Sequence, residues 1–187
     1  MSAWIYVIIG VVLGFVIVWG VRKTTGFVAQ SPSDYEDAAP EFDARKHLKG
    51  PILCEGVIFG PLGRVSSRFV AEFEGSWEGN NGVLKEHFTY DDGSIQNREW
   101  RLTVADDGSL SATADDVIGK GVGQQSGPTV LLKYDIKLPE ESGGHVLKTV
   151  DWMYLTQNGT IMNRSQFRKF GIKVAELVAT LRPKDMG

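Results

Sequence analysis

The chain has 187 residues, a formal net charge of -3 and one cysteine. That length accommodates one domain with a sizeable core, while the slightly acidic balance and the lack of any Lys/Arg-rich stripe argue against nucleic acid as a partner. Cys54 alone forms neither an intramolecular disulfide nor a multi-cysteine metal site, and reads as a small apolar core residue.

The chain opens on AWIYVIIGVVLGFVIVWGV, residues 3–21, with no charged side chain. About 20 apolar residues suffice to cross a bilayer core as a helix. Only Met1-Ser2 precede the run and Arg22-Lys23 follow it, so it lacks the positive n-region and the small-residue cleavage site of a secretory leader and reads as a retained anchor over residues 1–23. Trp4, Tyr6 and Trp19 lie towards its ends, where amphipathic rings settle at headgroup level. Gly10 and Gly14 form a GxxxG that permits close helix pairing with a membrane-protein partner. Residues 24–41 include the start of SPSDYEDAAPEFD, rich in small residues, prolines and carboxylates, and are expected as an extended acidic linker.

From residue 42 to 187 the pattern is alternation. On 64–77, Val65, Phe69, Ala71, Phe73 and Trp77 fall on one face, and Arg64, Arg68, Glu72 and Glu74 on the other. VLKEHFTY and SIQNREWRLTV flank Asp91-Asp92-Gly93, and Asp106-Asp107-Gly108 starts a second hairpin. Later strands follow in VLLKYDIKL, HVLKTVDWMYLTQ, TIMNRSQFRKF and IKVAELVATL, with Asn158-Gly159 as a further turn. These imply an all-β, antiparallel, up-and-down meander of about eight to ten strands, closed into a barrel because closure removes unpaired edges.

Catalytic constellations are missing from the sequence. His47, His87 and His145 are scattered, there is no GxSxG elbow, and the glycine-rich KGVGQQSG has neither P-loop spacing nor a strand-to-helix context. No metal site, cofactor or catalytic residue is assigned. What the strands do offer is mixed faces. Glu86, Phe88 and Tyr90 share one, and Arg98 and Trp100 share another across the hairpin, so a Glu86–Arg98 pair would offset the cost of burying either charge.

The series EGSWEG, LKEHFTYDDG, REWRLT, TADDVIGKGVGQQSG, VDWMYL and MNRSQFRKFGIKVAEL resembles, in order and spacing, the bacterial family called domain of unknown function 3833. The likeness runs from about Phe42 onward. It implies a lipocalin-like, calycin-type barrel and an envelope location at the inner membrane, since members are similar to small lipoproteins, many with a lipobox cysteine. This chain has no lipobox and carries an apolar helix in its place. The lipoprotein relatives imply that the barrel faces the periplasm, whereas Arg22-Lys23 imply the cytoplasm.

The function expected from these readings is a membrane-tethered binding module for an apolar or amphipathic small molecule, such as a membrane lipid or fatty-acid derivative. Glu86, Tyr90, Arg98, Trp100, Tyr134, Trp152, Tyr154 and Arg164 are the expected binding residues. A filled barrel serving as a structural or assembly partner of a membrane complex is the alternative. A lipid-modifying enzyme is a third, requiring a strongly shifted Glu86 or Asp151 in a cleft. A two-residue hairpin at Asn158-Gly159 would set Met153 opposite Arg164 and pair Arg164 with Asp151 first and Asp116 second.

Overall fold

The computed structural model describes residues 3–184, so Met1-Ser2 and the side chains of Arg22 and Lys23, on which the orientation arguments draw, lie outside the described part. Helix α1 spans Ala3–Thr24. Its stretch Ala3–Val21 has mean hydropathy 2.5 and none of it is buried against the rest of the chain. A helix so long and apolar on every side can cross a membrane or act as a signal sequence.

The domain behind it is a closed up-and-down barrel of ten antiparallel strands, lipocalin-like in architecture. In order they are β1 Gly50–Phe59, β2 Val65–Glu78, β3 Asn81–Tyr90, β4 Ile95–Val104, β5 Ser109–Thr113, β6 Val117–Ser126, β7 Thr129–Lys137, β8 Val146–Leu155, β9 Ile161–Lys169 and β10 Ile172–Pro183. Each strand pairs with its sequence neighbours and β1 pairs with β10 to close the wall. The alternation expected on β2 is present, with Phe69, Ala71 and Phe73 buried between exposed Val70, Glu72 and Glu74.

Turn chemistry sets the registers. The β3–β4, β4–β5 and β8–β9 loops are the same three-residue device, closed by Tyr90 N to Ser94 O, Ala105 N to Ser109 O and Thr156 N to Thr160 O. Gly93, Gly108 and Gly159 take the left-handed φ that ends such a loop, at 84°, 79° and 82°. At the middle position Asp92, Asp107 or Asn158 accepts the amide of the following Ser94, Ser109 or Thr160.

One end of the barrel is plugged. Asp43 caps the single-turn helix α2, Ala44–His47, by accepting the Arg45 amide. Phe42, Ala44 and Leu48 are buried in the main core. The Ala44 amide donates to Gln125 Oε1 at 2.7 Å and the Trp77 indole donates to the Leu48 carbonyl at 2.9 Å, fixing the plug to β6 and β2. The other end, to which the β1–β2, β3–β4, β5–β6, β7–β8 and β9–β10 connections belong, is open.

Residues 25–41 lie against the barrel. Two single 3-10 turns, Phe27–Ala29 and Pro32–Asp34, break the segment. Phe27 is buried with Leu131 and Trp152, and Tyr35 packs beside them. The segment then crosses so close to the β6–β7 turn that a Cβ on Gly127 would sit 1.9 Å from the Tyr35 carbonyl oxygen.

Candidate ligand-binding cavity

Inward-facing side chains of nine of the ten strands, all but β6, leave a cavity of about 800 Å³ that runs from the plug to the open end. Its walls are apolar on both sides of a polar belt. Leu132, Leu181 and Trp100 line the plugged half, and Phe88, Ile136 and Phe167 line the half near the mouth. The belt lies at mid-depth, where β3 contributes Glu86, β4 Arg98, β7 Tyr134, β8 Asp151 and β9 Asn163 and Ser165.

The belt is built around Arg98. Its register opposite Glu86 is as the sequence indicates, but the ion pair is different. Because β5 ends at Thr113, only Arg101–Val104 of β4 find a partner on that side, and the upper part of β4 faces the turn before β6. Arg98 reaches across this gap to Asp116, with Nε 2.9 Å from Oδ2 and a second hydrogen bond to Oδ1 at 2.9 Å. The guanidinium carbon lies 4.1 Å from the Trp100 ring centroid and 5.8 Å from that of Tyr134. Trp100 and Tyr134 meet edge-on at 5.2 Å.

Glu86 is thereby left without an ion-pair partner among the described residues. It is 8% exposed, and its Oε2 has no hydrogen-bond partner among the described residues. Burial pushes its carboxyl up to about 7, against the pull of Arg98 and the Trp100 indole and with further push from Asp151 and Asp116. Burial raises Asp151 as well, opposed by hydrogen bonds donated by Asn163 at 2.5 Å and Ser165 at 2.9 Å. Burial also pushes up the Tyr134 hydroxyl and the Cys54 thiol. Tyr90, at the mouth, donates to Gln96 Oε1 at 2.7 Å, and burial raises its hydroxyl too.

Of the eight residues singled out in the sequence, Glu86, Tyr90, Arg98, Trp100 and Tyr134 meet in this cavity. Trp152, Tyr154 and Arg164 do not. They face outward, under the linker, where Tyr35 packs edge-on against Trp152 at 5.6 Å and Tyr154 at 6.0 Å. Tyr35 and Tyr154 both donate to Gln30 Oε1. For Arg164 the reason is register. The loop at 157–159 has three residues, so Trp152 faces Arg164 and Asp151 faces Ser165. A one-residue slip sends each side chain to the opposite face. Arg164 accordingly pairs with Glu176 on β10, Nε to Oε1 at 2.6 Å, and neither Asp151 nor Asp116 is its partner. Gln166 and Lys173 complete the set around Glu176. Burial alone would raise that carboxyl, but Lys173, Gln166 and Arg164 together hold it at about 2.

The sequence reading missed Asn163 and Ser165, and gave Asp116 and Asp151 other partners. The signal was available for three of them, since the Asn158 loop has the same form as the two Asp-Asp-Gly loops and the same register rule would have turned Asp151, Asn163 and Ser165 inward.

A family model described as protein of unknown function, DUF3833, matches residues 21–183. The chain belongs to that family. The matched span takes in the linker and all ten strands and leaves out most of α1. No curated protein matches the chain.

Proposed function

We propose that the barrel binds an amphipathic small molecule, with its polar head on the mid-depth belt and its apolar part along the wall towards the mouth, and that α1 holds the barrel at a membrane. The observation that carries this reading is Glu86: a buried carboxyl with an unpartnered oxygen, lining an otherwise largely apolar cavity. Buried polar atoms are as a rule hydrogen-bonded, and about 800 Å³ falls within the usual size of a ligand pocket, roughly 300–1,000 Å³. A cavity of that size also speaks against a solid, purely structural barrel.

The belt's charges indicate the head group. Arg98 is committed to Asp116, so an entering free carboxylate would meet Glu86 and Asp151 with no uncommitted cation to receive it. A head that donates hydrogen bonds, such as a hydroxyl, amide or ammonium, suits the two carboxyls. This favours a lipid or fatty-acid derivative whose acid function is masked. Glu86, raised and lining the cavity, also meets the condition set for the lipid-modifying reading, since a raised carboxyl can serve as a general acid.

The test uses the full chain in mild detergent, with native mass spectrometry for co-purifying lipid and fluorescence titration with a long-chain amine, alcohol and fatty acid of equal length. Binding of the amine or alcohol in preference to the acid, weakened in Glu86→Gln, is the expected result. Preference for the free acid would overturn the head-group assignment. A protein that carries no lipid and binds none of the three would overturn the binding function itself.

A further inference from the structure

We propose that two apolar hairpin tips at the open mouth, centred on Leu62 and Phe170, insert into the surface of the bilayer that α1 spans and hold the cavity's opening against the lipid. The inference rests on the anchor reading given above and adds to it which end of the barrel meets the membrane.

The first observation is the choice of residue. The β1–β2 loop is the same three-residue device as the others, closed by Gly60 N to Arg64 O with Gly63 at φ 76°. Its middle position, filled by Asp92, Asp107 or Asn158 elsewhere, holds Leu62, 87% exposed. At the β9–β10 turn, Lys169 pairs with Ile172 around a two-residue loop, Phe170-Gly171, with φ of 52° and 79°. Asn-Gly is the usual content of such a turn, because a left-handed backbone is strained for a bulky side chain. Phe170 occupies that strained position with its ring 92% exposed. Neither residue contributes to the core, and each replaces one that would serve the turn better. Strain of this kind tends to mark function.

The second observation is the distribution of exposed apolar side chains. Leu62, Val65, Ile95, Val146, Phe170 and Ile172 all lie at the open end. Among the described residues, the turns and strand ends of the plugged end expose only one large apolar side chain, Met162, at 37%. Exposed apolar side chains gathered at one end of a domain are a candidate interaction surface. Charge complements the patch, since Arg64, Lys169 and Lys173 flank the two tips and the nearby Glu176 is held by Arg164 and Lys173. Apolar tips with basic flanks suit the lipid–water interface.

The third observation is the path of the chain. Phe27, docked on the β7–β8 wall, lies three residues after the end of α1, a reach of at most ~10 Å. Arg164, whose guanidinium carbon is 4.7 Å from the Phe27 ring, lies on β9 six residues before Phe170, roughly 20 Å along the strand. The open mouth thus lies within roughly 30–35 Å of the end of α1, while from Phe27 the linker continues to the β6–β7 turn at Gly127, at the plugged end.

The experiment places single labels in the full chain reconstituted in vesicles of zwitterionic and anionic phospholipid. Leu62→Cys, Phe170→Cys and, at the plugged end, Ala105→Cys each carry an environment-sensitive fluorophore, the buried native Cys54 remaining unlabelled. Phospholipids bearing a nitroxide near the headgroup are expected to quench the labels at 62 and 170 about three-fold or more above the label at 105. Adding Leu62→Asp to the Phe170-labelled protein should lower its quenching. Equal quenching at all three sites, or stronger quenching at 105, overturns the docking. Co-flotation of the same preparation with the vesicles separates the two readings: a chain that floats without tip quenching retains the anchor and loses the docking, and one that does not float loses both.

Discussion

Two polar clusters sit back to back on the β8–β9 wall. On the inner face Asp151, Asn163 and Ser165 belong to the belt with Glu86 and Arg98, and on the outer face Trp152 and Arg164 meet Phe27, Tyr35 and Glu176. Both combine aromatic rings, an arginine and carboxylates, yet their electrostatics diverge. Outside, three donors hold Glu176 at about 2. Inside, burial drives Glu86 to about 7 and one of its oxygens is unpartnered. A cluster whose charges are matched within the chain fastens the fold. One left short of a partner suits a molecule from outside, which is why we propose the inner face as the binding site and read the outer face as a clasp for the linker.

The comparison breaks most readily at Trp152, whose side chain is fully buried although it faces outward. Trp152→Ala removes the platform for Phe27 and Tyr35 and should cost about 3–5 kcal/mol in denaturant unfolding. The affinity of folded protein for the amphipathic probe should remain, because the ring points away from the cavity. Loss of binding without loss of stability would reverse the assignment of the two faces.

The pH dependence separates the clusters by sign. Glu86 has a folded pKa above its unfolded value, so its contribution is fully present below about 4.5 and is lost as the pH rises through about 7. The loss is on the order of 3 kcal/mol, and Asp151, also raised, adds in the same direction. Glu86→Gln should flatten this part of the stability curve. Glu176 behaves oppositely: its contribution is present above about 4.5 and disappears as the pH falls through about 2. Stability measured from pH 2 to 8 in wild type, Glu86→Gln and Glu176→Gln tests both signs at once.

A smaller effect is expected from Arg164→Ala, about 1–2 kcal/mol, because the guanidinium is half exposed and partly screened. In double-mutant cycles Arg164 should couple to Glu176 and add independently, within about 0.5 kcal/mol, to Asp151→Asn. Coupling to Asp151 would restore the register read from the sequence.

That register error shows what was legible. Alternation and the Asp-Asp-Gly turns determine an up-and-down barrel, because side-chain period and loop chemistry are local properties. They also turn Glu86, Arg98 and Trp100 inward together. What local pattern does not carry is loop length at a single turn, and one residue in the Asn158 loop exchanges Arg164 for Asn163 on the inner face. Nor does it carry the Arg98–Asp116 bridge, which exists because β5 is short and leaves a gap in the wall. The docking of Phe27 and Tyr35 is tertiary as well. Their segment has the composition of a tether, and only the outer aromatic patch of β8 gives it a place to bind.

The smallest expected effect concerns the tips at the mouth. Phe170 is held at φ 52° with its ring in the open, where a left-handed conformation costs a non-glycine residue roughly 1–2 kcal/mol. Asn tolerates that conformation better through local hydrogen bonding and is a preferred first residue of such a turn. Phe170→Asn should therefore stabilise the barrel by about 0.5–1 kcal/mol in thermal unfolding, the gain typical of relieving a strained backbone position. Removing a large ring from a protein's surface ordinarily changes little, so a measurable gain would identify Phe170 as a residue kept at the expense of stability. If the variant is instead less stable, the ring supports the turn through contacts such as that with Lys169, whose Nζ lies 5.7 Å from its centroid. The mouth would then belong with the clasp of the outer wall, as a region whose groups are matched within the chain.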